Sequence, residues 1–184
     1  MDTSSSKSIT LVLGGVRSGK SHYAQNLVTG GGRVAFIATA EALDADMQQR
    51  ITRHREERPP SWVTLEAPIA LEDAIQECKD KFDVILVDCL TLWTANLMAA
   101  ENSDVDRIFA HAEQLCESLN QATPSVVLVS NEVGSGVVPI SGDGRLYRDL
   151  LGGVNQRVAA VADRVLLLVA GYPLTVKDSA AVRS

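Results

Sequence analysis

Aromatic side chains make up only 4 % of this 184-residue chain. Its core must therefore be built from Val, Leu, Ile and Ala rather than from stacked rings. No block of basic residues occurs, and the formal net charge is −6. That balance excludes broad binding to nucleic acid or anionic membranes, which depends on phosphate neutralisation. Cysteine is scarce. Cys78, Cys89 and Cys116 are odd in number and lack metal-ligand spacing, so they read as reduced thiols of an intracellular protein. No apolar run approaches the length of a membrane span. Met1 to Lys7 (MDTSSSK) lacks an apolar signal core and reads as a disordered cap, with the cytoplasm as the expected compartment. The rest is ordinary for a globular protein: 46 % apolar and 22 % charged residues, in a length that suggests one domain with a sizeable core.

Apolar runs alternate with helical patterns. Ser8–Leu13, Arg33–Ala38, Trp62–Glu66, Phe82–Asp88, Ser125–Ser130 and Arg164–Ala170 read as strands. Ser21–Val28, Leu43–Arg58, Leu71–Lys79, Leu90–Ala100, Val105–Gln121 and Leu146–Ala162 read as helices, the second of them stopped by Pro59-Pro60. Glu132–Arg145, rich in Gly, Val and Pro, reads as a loop. Alternating β and α units predict an α/β fold: a mostly parallel sheet sandwiched by helices, in a single P-loop NTPase-like (RecA-like) domain over residues 8–176. Residues 1–7 and 177–184 are expected to be flexible ends.

Between the first strand and the first helix stands Gly14-Gly-Val-Arg-Ser-Gly-Lys-Ser21, which fits the phosphate-binding pattern G-x-x-x-x-G-K-[ST]. Glycines let backbone N–H groups curl around phosphate oxygens, and the start of the next helix adds partial positive charge. Gly14, Gly15, Val16, Arg17, Ser18, Gly19, Lys20 and Ser21 are thus candidate nucleotide contacts. Lys20 can reach the β- and γ-phosphates, and the Ser21 hydroxyl can hold Mg²⁺. Asp88 ends a strand at the edge where open α/β sheets bind ligands, and is the candidate second Mg²⁺ residue, directly or through water. It can also be a plain turn residue.

Three further motifs narrow the reading. They are Arg50-Ile-Thr-Arg-His54-Arg-Glu-Glu-Arg58-Pro59, Ser130-Asn-Glu-Val-Gly134-Ser-Gly-Val-Val-Pro139, and Tyr147-Arg-Asp-Leu-Leu-Gly-Gly-Val-Asn-Gln156. With the phosphate loop in front, the chain from about Ile9 to Gly171 resembles the bifunctional adenosylcobinamide kinase / adenosylcobinamide-phosphate guanylyltransferase family of cobalamin synthesis.

The resemblance implies a covalent guanylyl–histidine, for which the matching residue is His54. It implies nucleotide contacts at Gly14 to Ser21, at Ala38, Thr39 and Ala40, at Arg55, Glu56, Glu57 and Arg58, and at Glu66 and Asp88. Some relatives carry two adjacent histidines where this chain has Arg53 before His54, and some carry Glu in place of Asp88. GTP and ATP are the implied substrates, with Mg²⁺, a cobinamide acceptor and a homo-oligomer, a trimer.

His54 also fits a simpler role. Leu43, Met47, Ile51 and His54 fall at helical spacing, so the histidine could finish an apolar stripe. Arg50, Arg53, Arg55 and Arg58 around it favour chemistry instead, since cations beside an imidazole keep it neutral and nucleophilic near neutral pH. His22 reads as solvated or near the phosphates, His111 as a core-edge residue, and Trp62 and Trp93 as packing residues. Asn131, Glu132, Arg145 and Arg148 flank the Gly/Pro loop, as a lid or corrin contact or as part of an ordinary mobile loop. Two rival functions remain: a monofunctional P-loop small-molecule kinase, and a non-catalytic nucleotide switch.

Overall fold

The computed structural model describes residues 7–41, 49, 52, 55 and 58–179. Seven strands form one sheet: β1 (Ile9–Gly14), β2 (Val34–Ala38), β3 (Val63–Glu66), β4 (Val84–Asp88), β5 (Ser125–Asn131), β6 (Arg164–Val169) and β7 (Tyr172–Asp178). Their order is β3-β2-β4-β5-β1-β6-β7. All pairs are parallel except β6 with β7. The helices with described ranges are α1 (Lys20–Val28), α2 (Leu71–Cys78), α3 (Leu90–Ala100), α4 (Val105–Gln121) and α5 (Gly142–Val161). The expected α/β class and mostly parallel sheet are what the chain adopts.

Strand alternation divides the core in two. Leu11, Ile37, Ile85, Val87, Val126 and Leu128 point to one face, where they meet Leu71, Trp93, Leu97, Leu115 and Leu150 of the helices. Their neighbours Val12, Phe36, Leu86, Val127, Val129 and Leu166 point to the other, against Ala24 and Val28 of α1. Both faces are covered, so the strands read as continuous apolar runs. Trp93 is a fully buried packing residue whose indole N–H donates to the Ile69 carbonyl at 2.7 Å. Trp62 stacks on Phe36 with ring centroids 6.4 Å apart.

Three stretches differ from the sequence reading. The helix expected from Leu146 begins at Gly142, because Ser141 caps it: its Oγ accepts the Gly144 N–H at 3.2 Å. Lys177 and Asp178 do not fray. They belong to β7, a strand the sequence reading omitted. Lys177 Nζ donates to the Ala159 and Ala160 carbonyls at 2.9 Å, and Asp178 pairs with Arg164 at 3.5 Å. Of the helix expected over Leu43–Arg58, most lies outside the described residues. Gln49, Thr52 and Arg55 are helical and Arg58 is not.

The double glycine of the third motif serves packing. A Cβ on Gly153 would lie 2.6 Å from the Phe109 ring, so glycine lets α5 approach α4. Arg157 then lies over that ring, 3.9 Å from its centroid.

Candidate nucleotide site

The loop between β1 and α1 is held by close packing rather than by a capping side chain. A Cβ on Gly14 would lie 2.3 Å from Ser18 Oγ and 2.9 Å from the Leu168 carbonyl, so only glycine fits there. Arg17 and Gly19 have φ of 57° and 90°. Together they curl the chain back, and Ser18 N donates to the Gly15 carbonyl at 3.2 Å. Helix α1 starts at Lys20 with no side-chain cap and no acid in its first turn. Its first N–H groups and its dipole are therefore available to an anion. The buried Ser18 Oγ finds no hydrogen-bond partner among the described residues.

A second support comes from the turn joining β6 and β7. Ala170 and Gly171 both have positive φ, 52° and 87°, as a two-residue hairpin turn demands. The Gly171 N–H donates to the Ser18 carbonyl at 2.9 Å, and Gly19 packs against Gly171 Cα. The hairpin thus buttresses the phosphate loop. The signal was present in the sequence as Val169-Ala-Gly-Tyr172 followed by alternating residues.

At the C-terminal ends of β1, β2, β4 and β5 lies a cavity of ≈ 380 Å³. From the phosphate loop come Val16, Arg17, Lys20 and Ser21, and from β2 and its exit come Ala38 and Ala40. Arg55, Arg58 and Glu66 close one side, and Asp88 lies at the tip of β4. Most of the site candidates read from the sequence therefore share one cavity. Gly14, Gly15, Ser18 and Gly19 shape its loop without lining it. His54, Glu56 and Glu57 lie outside the described residues. Thr39 does not face the cavity. Its hydroxyl donates to the Cys89 carbonyl at 2.7 Å and accepts the Cys89 N–H at 2.8 Å, which ties β2 to the end of β4.

The charges are arranged for an anion. Lys20 Nζ donates to its own loop, at the Gly15 carbonyl, 3.2 Å away. Burial holds the Lys20 ammonium below its usual pKa, while negative charge on the Cys89 sulfur and on the Asp88 carboxylate pulls it back up. Burial likewise lowers Arg58, against the pull of Asp88. The Arg58 guanidinium lies 3.5 Å from the centroid of the Phe36 ring and donates to Thr64 Oγ1 at 3.3 Å. Its buried Nε has no hydrogen-bond partner among the described residues. Arg55 pairs with Glu66 at 2.5 Å. Both side chains are more than half exposed, so the pair contributes about 0–1 kcal/mol and opens at little cost.

The sequence reading missed Cys89, Thr91 and Leu92, which also line the cavity, and left Asn131 to the flanking loop. Asn131 sits beside Gly14 in the β5–β1 register. Its N–H donates to Thr91 Oγ1 at 2.8 Å, and its carbonyl accepts from Asn155 Nδ2 at 3.0 Å. Strand pairing, not local sequence, brings these residues to the phosphate loop.

Among the described residues no group of three or more His, Cys, Asp or Glu could hold a metal ion alone. Ser21 and Asp88 supply two hard oxygen donors on one cavity, which suits an ion that takes its other ligands from phosphates and water. No helix of the described residues is long and apolar enough to cross a membrane.

The chain is similar to known proteins over most of its length. The profile of a family described as cobinamide kinase / cobinamide phosphate guanyltransferase matches residues 10–176. The bifunctional adenosylcobalamin biosynthesis protein CobP of Pseudomonas aeruginosa is 43 % identical over 168 residues, covering 91 % of this chain and 96 % of the relative. The corresponding CobU proteins of Escherichia coli and Salmonella typhimurium are 38 % and 39 % identical, each match covering 91 % of this chain and 98 % of the relative.

Proposed function

The chain belongs to the cobinamide kinase / cobinamide phosphate guanyltransferase family, and we propose that it performs both transfers at the one nucleotide site described above. As a kinase it moves the γ-phosphoryl group of ATP or GTP to the hydroxyl of adenosylcobinamide. As a guanylyltransferase it uses the His54 imidazole to attack the α-phosphorus of GTP. The bond to the bridging oxygen breaks and pyrophosphate leaves. An oxygen of adenosylcobinamide-phosphate then attacks the same phosphorus and displaces the histidine, giving adenosylcobinamide-GDP. Splitting the transfer uses one good nucleophile twice.

The observation that carries this reading is the meeting of the phosphate loop with Arg55 and Arg58 in one cavity. Arg55 is the residue after His54 in the sequence, and it lines this cavity. Lys20 and the two arginines offer positive charge where phosphate charge develops in either transfer. Glu66 releases Arg55 when a triphosphate competes for it. Ser21 and Asp88 would hold Mg²⁺ together with the nucleotide, and the ion would supply neutralisation of phosphate charge.

A homo-oligomer, a trimer as the resemblance implies, is supported by β7. This edge strand leaves Tyr172, Leu174 and Val176 exposed, a feature that monomers commonly blunt. A cytoplasmic setting fits the three free thiols.

Intact-mass spectrometry after incubation with GTP and Mg²⁺ tests the reading. A guanylyl adduct should form, be acid-labile as a phosphoramidate is, and be reversed by pyrophosphate. His54→Ala should lose the adduct and the guanylyl transfer while keeping part of the kinase activity, which needs no protein nucleophile. An adduct on His54→Ala, or one labile in mild base, would refute the assignment.

A further inference from the structure

The segment between β5 and α5 carries three apolar side chains turned to solvent: Val137 is 94 % exposed, Val138 60 % and Ile140 99 %. Here its backbone is tied from both ends. The Glu132 carboxylate accepts from Gly134 N at 2.7 Å and Ser135 N at 3.2 Å. Arg148 donates to the Gly134 carbonyl at 2.6 Å. Arg145 donates to the Pro139 and Ile140 carbonyls at 3.1 and 2.5 Å. The charged groups thus hold the main chain and leave the apolar side chains facing outward.

The segment also starts at the reaction cavity. Asn131 lines it, and the next residue, Glu132, donates its N–H to the carbonyl of Gly14, the first residue of the phosphate loop, at 3.1 Å. Val16 of that loop, on the cavity rim, is itself exposed. An acceptor whose hydroxyl reaches a phosphate held on this loop must leave the bulk of its body outside the cavity. A volume of ≈ 380 Å³ suits a nucleotide and has no room for a macrocycle as well.

We propose that Val137, Val138 and Ile140 form the subsite for the acceptor's macrocycle, packing against the methyl-bearing edge of a corrinoid while its side-chain hydroxyl enters the cavity. This rests on the reading of the chain as a cobinamide-modifying enzyme. A second copy of the chain is the other possible occupant. The corrinoid is favoured because the segment leaves the cavity at Asn131, which lines it, whereas no residue of the apolar strand β7 lines the cavity.

The test is the double variant Val137→Ser, Ile140→Ser in the full chain. Both side chains are almost wholly exposed, so the fold should not change. The apparent KM for adenosylcobinamide in the kinase assay should rise roughly tenfold or more, since two apolar contacts are lost. The nucleotide KM and the guanylyl adduct formed from GTP alone should stay within about twofold, because neither involves the corrinoid. Val137→Ile with Ile140→Leu should restore the acceptor KM. An unchanged acceptor KM overturns the subsite. So does an acceptor defect that appears only together with a smaller oligomer by sedimentation, which would make the segment a subunit contact. A wild-type protein that leaves cobinamide unmodified would sink the enzymatic reading, and the subsite with it, before any variant is compared.

Discussion

The hydroxyl of Thr39 and the main chain of Cys89 exchange two hydrogen bonds, 2.7 and 2.8 Å long, across 50 residues of sequence. Asn96 Nδ2 adds a third tie, to the Thr39 carbonyl at 2.8 Å. The clamp fixes the exits of β2 and β4 side by side, and so sets Ala38 and Ala40 opposite Asp88 on the cavity rim.

Thr39→Val keeps the shape of this buried side chain and removes both hydroxyl bonds. The Cys89 N–H and C=O lose this partner, at about 1–3 kcal/mol for each group left unsatisfied. With both groups unsatisfied, urea denaturation should show a loss of about 2–6 kcal/mol, with a raised nucleotide KM, and Thr39→Ser should recover most of both. A Thr39→Val protein as stable as the wild type would mean that the clamp is dispensable.

Arg58 is held by the face of Phe36 and by Thr64 Oγ1. Lysine keeps the charge but loses the planar stack and the fork of donors. Arg58→Lys should therefore weaken nucleotide binding by roughly tenfold, the value of one charge-assisted contact of about 1.4 kcal/mol. Isothermal titration with a non-hydrolysable GTP analogue measures it. Equal affinity in the two proteins would assign Arg58 to packing alone.

Asp88→Asn keeps size and removes the negative charge opposite Lys20 and Arg58. If the carboxylate helps to hold the ion, the Mg²⁺ dependence of both transfers should move to higher concentration. A titration that coincides with wild type would leave Asp88 as the residue that tunes Lys20.

Alkaline pH should destabilise the protein through two thiols shielded from water, Cys78 in the core and Cys89 in the cavity wall. Burial pushes the Cys78 and Cys89 thiols up to about 11 from an ordinary 9.0, and the Tyr147 hydroxyl up to about 12 from 10.0. The native state keeps protons that the unfolded chain has lost. This stability is full below pH 9.0 and falls as pH rises to about 11, with Tyr147 extending the fall toward about 12. Lys20, lowered by burial, works in the opposite sense. Urea midpoints measured between about pH 8 and 11 should fall, and less steeply for Cys78→Ala with Cys89→Ala. A flat profile in the wild type would contradict the burial of these groups.

Much of the site was legible because its chemistry is local. Gly14 to Ser21 is one contiguous turn, and Gly14 is demanded by a contact with Ser18 only four residues away. The continuous apolar runs around Ile85 and Val126 also announced their strands. The start of α5 was harder to read, because Gly142 and Gly144 argue against a helix until Ser141 is seen to cap it. Strand β7 was missed since Tyr172 to Val176 lacks the apolar continuity of a central strand.

Sequence by itself determined the class of fold, the phosphate loop and the family, since each rests on residue types at short, fixed spacing. Tertiary structure alone decided the strand order, and with it which distant residues share the cavity. Placing β1 between β5 and β6 sets Asn131 beside Gly14 and brings the Gly171 turn under Ser18. It also turned Thr39 away from the cavity and into a clamp. These outcomes depend on hydrogen-bond register and on packing between segments far apart in the chain, and no local pattern of residues encodes either.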